Sequence, residues 1–207
     1  MDQQQKIQIV TDGYNTAASR YDEGRETFKN RDVVEPFSRL VRAGGRVLDV
    51  GCGAGIPVGQ HLVVSGFSVT GIDISQSMLE IASSRLPQAN FVKMDMRHLA
   101  FGDGLFDGVV ACYSLIHVPM ELHRGVIFDF ERVLMPGGAL LFSCGRHKWE
   151  GIGEFHGAPM FWSHPHPKET RRSVLGAGFE LDFAEVREHG GEHHYWVLAR
   201  KPAAVPG

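Results

Sequence analysis

The chain of 207 residues has no hydrophobic run near the ~20 residues that a membrane-spanning helix needs, so an integral helical membrane protein is excluded. Cysteine is scarce. Cys52, Cys112 and Cys144 form an odd set whose spacings match no disulfide or zinc framework. An excess of either charge is also missing: 21 Lys and Arg face 24 Asp and Glu, a formal net charge of −3. With no basic stripe, nucleic acid is not an expected partner. There is no internal repeat and no low-complexity linker. The N-terminus, Met1-Asp2-Gln3-Gln4-Gln5, is polar and lacks a signal peptide's apolar core, so the expected location is the cytoplasm, away from membranes.

What is present is a regular alternation. Residues 46–144 interleave apolar strands with amphipathic helical stretches, the pattern of βαβ units in a doubly wound α/β parallel sheet. Strands are expected at about 46–50, 68–72, 90–94, 108–112 and 139–143, with helices at about 57–65, after Ser75 or Ser77, and at about 120–134. Residues 145–167 hold Gly, Pro, His and aromatics without a clean period and read as a long loop or partial lid. A helix at about 168–177 and two strands joined around Gly190-Gly191 follow. That hairpin must add an antiparallel strand to the sheet. Three regions result: a helical N-terminal segment, 1–43, outside the sheet; a main domain, 44–201; and a tail, 202–207, expected to fray.

The most informative stretch is Val47-Leu48-Asp49-Val50-Gly51-Cys52-Gly53-Ala54-Gly55, a buried strand running into a glycine-rich turn. Strand, glycine turn and helix N-terminus make a nucleotide-cofactor cradle, because backbone approaches a ligand where side chains are absent. Dinucleotide fingerprints run G-x-G-x-x-G, whereas here an acidic residue precedes the glycines as D-x-G-x-G-x-G. A carboxylate in that place repels a pyrophosphate and welcomes an ammonium. The ligand therefore combines a cationic part with a nucleoside part, and S-adenosylmethionine (SAM) fits. Asp73 closes the second strand, 18 residues past Gly55, near the ~20 expected for an acidic residue that accepts from ribose hydroxyls.

The glycine segment resembles motif I of the class I SAM-dependent methyltransferases, and the match continues in order down the chain. The resemblance implies a seven-stranded, mainly parallel sheet with its last strand reversed. It places Asp49, Gly51, Cys52, Gly53 and Gly55 at the methionine end of SAM, Asp73 and Ile74 at the ribose, and Asp95 and the Met96 amide at the adenine. Met78 packs on the adenine face or belongs to its helix's core stripe. Asp107-Gly108-Val109-Val110-Ala111-Cys112-Tyr113-Ser114 resembles motif IV: Asp107 is structural, while Cys112 to Ser114 fall near the sulfonium, which the aromatic face of Tyr113 attracts. The three cysteines approach the cofactor or are simply small buried residues. Tyr14, Arg20 and Tyr21, in a helical stretch, resemble the N-terminal lid of UbiE-like small-molecule methyltransferases, with Tyr21 also reaching the acceptor.

Methyl transfer to a hydroxyl usually needs a general base, and histidine suits neutral pH. His117 is one candidate, as a base beside the cofactor or as a structural histidine. His164 is the substrate-side candidate, in a group with His156, Phe161, Trp162 and His166 that suits a flat, polar, aromatic or heteroaromatic acceptor. His164-x-His166 and His193-His194 lack further ligands at recognised spacing, so no metal is expected. The expectation is methyl transfer from SAM to an O or N atom of a small molecule. The rivals are an NAD-dependent oxidoreductase, a SAM-binding regulatory module without catalysis, and an RNA or protein methyltransferase. Oligomeric state and acceptor identity are not encoded in any motif.

Overall fold

In the computed structural model the described residues are 1–22 and 29–204, the side chains of Ser19, Tyr21 and Asp22 excepted. The lid and acceptor roles expected of the Tyr21 side chain therefore fall outside the described set, as do residues 205–207 of the tail. The elements in chain order are α1 (Gln3–Asp22), α2 (Arg31–Leu40), β1 (Arg46–Val50), α3 (Val58–Val64), β2 (Ser68–Asp73), α4 (Gln76–Arg85), β3 (Asn90–Lys93) and β4 (Phe106–Ala111). Two short 3-10 turns lead into α5 (His123–Val133), then β5 (Leu134–Gly145), β6 (Trp149–Phe155), β7 (Ala158–His164), α6 (Pro167–Gly176), β8 (Glu180–His189) and β9 (Glu192–Arg200). Seven strands form one sheet in the order β3-β2-β1-β4-β5-β9-β8. The first five run parallel, and β9 is antiparallel to both β5 and β8. The strand order reverses between β1 and β4, and in a doubly wound sheet the ligand crevice opens at the C-terminal strand ends at such a point.

Strands β1 and β4 are buried on both faces, which is why Val47-Leu48-Asp49-Val50 and Phe106 to Ala111 read as continuous runs. Leu48, Val109, Leu140 and Phe142 pack with Ile127 and Phe130 of α5 on one face. Val47, Val110, Leu141 and Trp196 pack with Phe37 of α2 and Leu62 of α3 on the other. Gly108 sets how closely α2 sits: a Cβ there would lie 2.8 Å from both Phe37 Cζ and Val41 Cγ2. Ser75 is the cap of α4, its side chain accepting from the Met78 amide.

The stretch expected as a long loop is instead the antiparallel hairpin β6–β7, paired from Trp149↔His164 to Phe155↔Ala158. Its turn is His156-Gly157, with φ of +49° and +84°. Two successive positive φ values are the two-residue hairpin geometry that Asn-Gly usually announces. His in the first place, Gly151 and Gly153 in one strand and Pro159 in the other hide the alternation.

Asp107 opens β4 away from the crevice. Its carboxylate accepts from the Arg42 guanidinium (Nε, and Nη2 at 3.2 Å) and from the Arg46 amide at 2.7 Å, joining the α2–β1 connection to the sheet. Burial opposes its ionisation, but the Arg42 hydrogen bond, the Arg46 amide and the two guanidinium charges outweigh burial and hold the carboxyl below its ordinary 3.8. Stability from this group is complete above pH ~4 and is lost as pH falls through the depressed value. Asp107→Ala is expected to cost about 1–3 kcal/mol by urea unfolding at neutral pH, with a smaller difference from wild type in strong acid.

Candidate functional site

A cleft with about 950 Å³ of empty space, open solvent included, lies over the β1–β4 switch point. Its floor is the turn after β1. Gly51, Gly53 and Gly55 have φ of +70°, +53° and +79°. Only glycine fits at position 51, where a Cβ would sit 2.3 Å from Ser114 Cβ. Ser114 follows β4 and donates its hydroxyl to the Val50 carbonyl at 2.7 Å, tying the two strand ends together. From the end of β2, Asp73 holds the turn: Oδ2 accepts from the Gly53 amide at 2.9 Å and Oδ1 from the Ser75 amide at 2.8 Å. The Ile72 carbonyl takes the amides of Gly51 and Cys52.

Two carboxyl groups, Asp49 and Asp73, are thus buried in the cleft wall. Burial, and then the charge of Asp73, push the Asp49 carboxyl up to about 7. Burial also raises Asp73, against the amides of Ser75, Gly53 and Ile74 that stabilise its anion. The Cys52 thiol is driven well above its usual range by burial and by both carboxylates, which makes it an inert packing residue.

Asp95 and Met96, after β3, also line the cleft. Asp95 is clamped by Arg97: Oδ1 accepts from the Arg97 amide at 2.9 Å, and Oδ2 from Nε and Nη2 at 2.8 and 2.6 Å. Carboxylate oxygens offer about four acceptor sites, so one remains on Oδ1. Cys112 and Tyr113 line the cleft after β4, and Tyr113 is held at φ +56°, a conformation that a non-glycine residue adopts at a cost of order 1–3 kcal/mol. Its amide donates to Ser143 Oγ at 2.7 Å.

Helix α1 covers the cleft. Ile7, Val10 and Tyr14 face in, and Asn15 Oδ1 accepts from Ser75 Oγ at 2.7 Å and from the Ser77 amide at 3.3 Å. Tyr14 Oη lies 2.8 Å from His117 Nε2, and His117 Nδ1 lies 2.8 Å from the Phe161 carbonyl. A carbonyl only accepts, so Nδ1 carries the proton, Nε2 is the lone-pair nitrogen and Tyr14 donates to it. Burial, partly offset by the Phe161 hydrogen bond, lowers His117 to about 4, so the ring is neutral at physiological pH.

A second chamber adjoins the first and shares Tyr14, Asn30, Pro57, Tyr113 and His117 with it. It has about 1290 Å³ of empty space, open solvent included. Phe155, His156 and Trp162 of the β6–β7 hairpin wall one side, and His189, Glu192 and His194 at the tip of the β8–β9 hairpin wall another.

Several expected site residues fall elsewhere. Met78 is fully buried against Ala18 and Ala54, on the core side of α4. Phe161 is buried with Val10 and Met160 under α1. Gly55 packs toward Ala82 of α4 and Leu86, the residue that ends that helix. His164 walls neither space and sits against Gly145, His147 and Trp149. His166 caps α6, with Nδ1 accepting from the Lys168 amide at 3.1 Å. Arg20 reaches the His156 carbonyl at 3.4 Å rather than the cofactor cleft. Sequence reasoning missed Asn30, Phe155, His189 and His194. Of these only His194 carried a signal, as half of a histidine pair weighed for metal. Among the described residues no group of three or more His, Cys, Asp or Glu could hold a metal ion.

The cradle suits a ligand that combines a nucleoside with a cation. Its backbone is bare where a ligand approaches closely, and its two buried carboxyl groups are better accommodated beside a positive charge. A sheet of this order with such a cradle at its switch point is the architecture of a nucleoside-cofactor enzyme.

Comparison with known proteins narrows the class. A family described as "Methyltransferase domain" matches residues 47–138. O-methyltransferase rstn1 of Aspergillus nomiae is 30% identical over 175 residues, covering 78% of this chain and 75% of that protein. The 27-O-demethylrifamycin SV methyltransferase of Amycolatopsis mediterranei is 41% identical over 156 residues, covering 72% of this chain and 47% of that protein. The chain thus spans about half the length of the second relative. The solved magnesium protoporphyrin IX methyltransferase of Synechocystis with bound SAM shares the fold at a TM-score of 0.72 and 22% identity, covering 97% of this chain and 98% of that one. The chain belongs to the class I, Rossmann-like SAM-dependent methyltransferases, and SAM is its cofactor.

The carboxyl pair generates two expected outcomes. Asp73→Ala should weaken SAM binding by about 1.5–3 kcal/mol in calorimetric titration, the scale of hydrogen bonds to a charged group. Asp49 is protonated below about pH 7 in the free protein, and a cation favours its ionised form. SAM affinity is therefore expected to rise as pH increases through about 7, and Asp49→Asn to remove that step.

Proposed function

We propose that the protein methylates a hydroxyl oxygen of a flat, aromatic small molecule. The observation that carries this reading is the Tyr14–His117 pair, which stands where the cofactor cleft meets the aromatic chamber. The names of rstn1 and of the rifamycin-methylating relative, both O-directed, support oxygen as the acceptor atom. In this reading Asp49 and the glycine turn hold the methionine end of SAM, Asp73 the ribose hydroxyls, and Asp95 with the Met96 amide the adenine. When bound, SAM supplies a methyl group made electrophilic by its sulfonium.

The protein's part is alignment, exclusion of water and disposal of one proton. Tyr14, Tyr113, Phe155 and Trp162 give the chamber aromatic walls that seat a planar ring. The acceptor O–H gives its proton to Tyr14 Oη as Tyr14 passes its own to His117 Nε2. The proton becomes strongly acidic as the oxygen is alkylated, so a nitrogen whose pKa is about 4 can take it late in the reaction. The Phe161 carbonyl keeps Nε2 turned toward Tyr14 throughout. His164, outside both spaces, has no part in this scheme.

The test is turnover of SAM with a panel of phenolic acceptors, with product identified by mass spectrometry. Tyr14→Phe and His117→Gln are expected to lower kcat by roughly 10²–10⁴-fold, the usual worth of positioned proton transfer. Methylation confined to amines, or wild-type kcat in both variants, would overturn the hydroxyl reading.

A further inference from the structure

Arg97 follows Asp95 by two positions in the loop after β3, and its side chain is 13% exposed, against 24% for Asp95. Among the described residues its donors reach Asp95 alone: the backbone N–H goes to Oδ1 at 2.9 Å, and Nε and Nη2 both go to Oδ2, at 2.8 and 2.6 Å. Other arginines fasten distant parts of the chain. Arg42 joins α2's end to β4 through Asp107, and Arg132 of α5 gathers Asp129, Asp103 and the carbonyls of Leu99 and Phe101. A pair two positions apart spans no such distance. What Arg97 fixes is the carboxylate itself. Two guanidinium N–H groups fill Oδ2 and one amide takes a site on Oδ1, so three of about four acceptor sites are used. Asp95 lines the cofactor cleft, whereas Arg97 does not and can act there only through Asp95.

Three carboxyl groups line the cleft: Asp49, Asp73 and Asp95. Among the described residues only Asp95 has a guanidinium partner. The Asp49–Asp73 wall therefore attracts a cation, while Asp95 presents a single acceptor whose charge is already balanced. A lone, fixed acceptor distinguishes bases by their edges. Adenine brings an amino group, which donates; hypoxanthine brings a carbonyl in the same place, which a carboxylate repels. A carboxylate free to turn into water would be less selective, because it could withdraw from the carbonyl. We propose that Arg97 is a positioning residue that sets the base specificity of the cofactor site, by holding Asp95 with one acceptor left for an adenine amino group. This rests on the proposed placement of the adenine at Asp95 and adds the residue that makes the placement selective.

The experiment is calorimetric titration of the protein with S-adenosylhomocysteine and with S-inosylhomocysteine, which carries hypoxanthine in place of adenine. The wild type is expected to prefer the adenosyl ligand by about a hundredfold, the scale of one hydrogen bond to a charged group gained and one repulsion avoided. Asp95→Ala is expected to cut that preference about tenfold, and Arg97→Leu to reproduce most of the cut. The double variant should discriminate no worse than Asp95→Ala, because Arg97 acts only through Asp95. A merely structural arginine would lower the affinity for both ligands alike and leave their ratio unchanged. Arg97→Lys, which keeps the charge without the planar fork, should discriminate as poorly as Arg97→Leu, and it serves where the leucine variant does not fold. A wild-type ratio in Arg97→Leu or in Arg97→Lys, or a further fall in the double variant, would overturn the positioning role and leave the adenine placement standing. A wild type without preference, or a ratio that survives Asp95→Ala, would bring down the adenine placement and the role of Arg97 with it. Failure to bind S-adenosylhomocysteine at all would bring down the cofactor reading itself.

Discussion

The site depends on the Asp73 carboxylate. Placed at the end of β2, it accepts amides from the turn after β1 and from the start of α4, so the cradle and the first turn of α4 are positioned by the same two oxygens. Asp49 is its neighbour in the buried wall, and the two charges are poorly tolerated together. Among the described residues amides of Ser75, Gly53 and Ile74 hold the Asp73 anion, whereas burial and the charge of Asp73 raise Asp49, so the proton rests on Asp49. The cradle is therefore pre-organised as backbone, and a cationic ligand offsets the repulsion between its two carboxyl groups. A fold that only needed stability would place an apolar side chain at position 49.

Much of this was readable from residue order. The interleaved strands at 46–144, the glycine turn, Asp73 at a strand end and Ser75 as a cap all depend on local rules, and local rules leave local marks. Whether Met78 faced the adenine or the core could not be decided by period, since both lie on the inward side of α4; the packing of Ala18 of α1 and Ala54 of the turn against it decides for the core. The β6–β7 hairpin was hidden by one histidine at a positive φ and by the glycines that weaken its alternation. The chamber wall was hidden for a different reason. Asn30 and His189 are 159 positions apart in the chain, and nothing in either neighbourhood announces the other.

Helix α1 joins these parts. Asn15 ties it to α4, Tyr14 to His117, and Lys6 to Glu150 of the β6–β7 hairpin at 2.8 Å. Glu150 accepts from Ser163 Oγ, which accepts in turn from the Met120 amide, so the tie continues to the turn before α5. The cover of the cofactor cleft and one wall of the chamber are therefore a connected unit. Displacing α1 from the cleft as a unit would break these polar ties together.

The strand β9 is made after β8 yet lies between β5 and β8 in the sheet. As the chain leaves the ribosome, β1 to β5 can pair in succession while β8 waits without a neighbour. β9 must then insert and join them. The residues at the β8–β9 tip, His189 among them, reach the chamber only after that insertion. A nascent chain can thus own a formed glycine cradle before the β8–β9 tip closes its side of the neighbouring chamber, so the two spaces are completed in the order in which their strands are made.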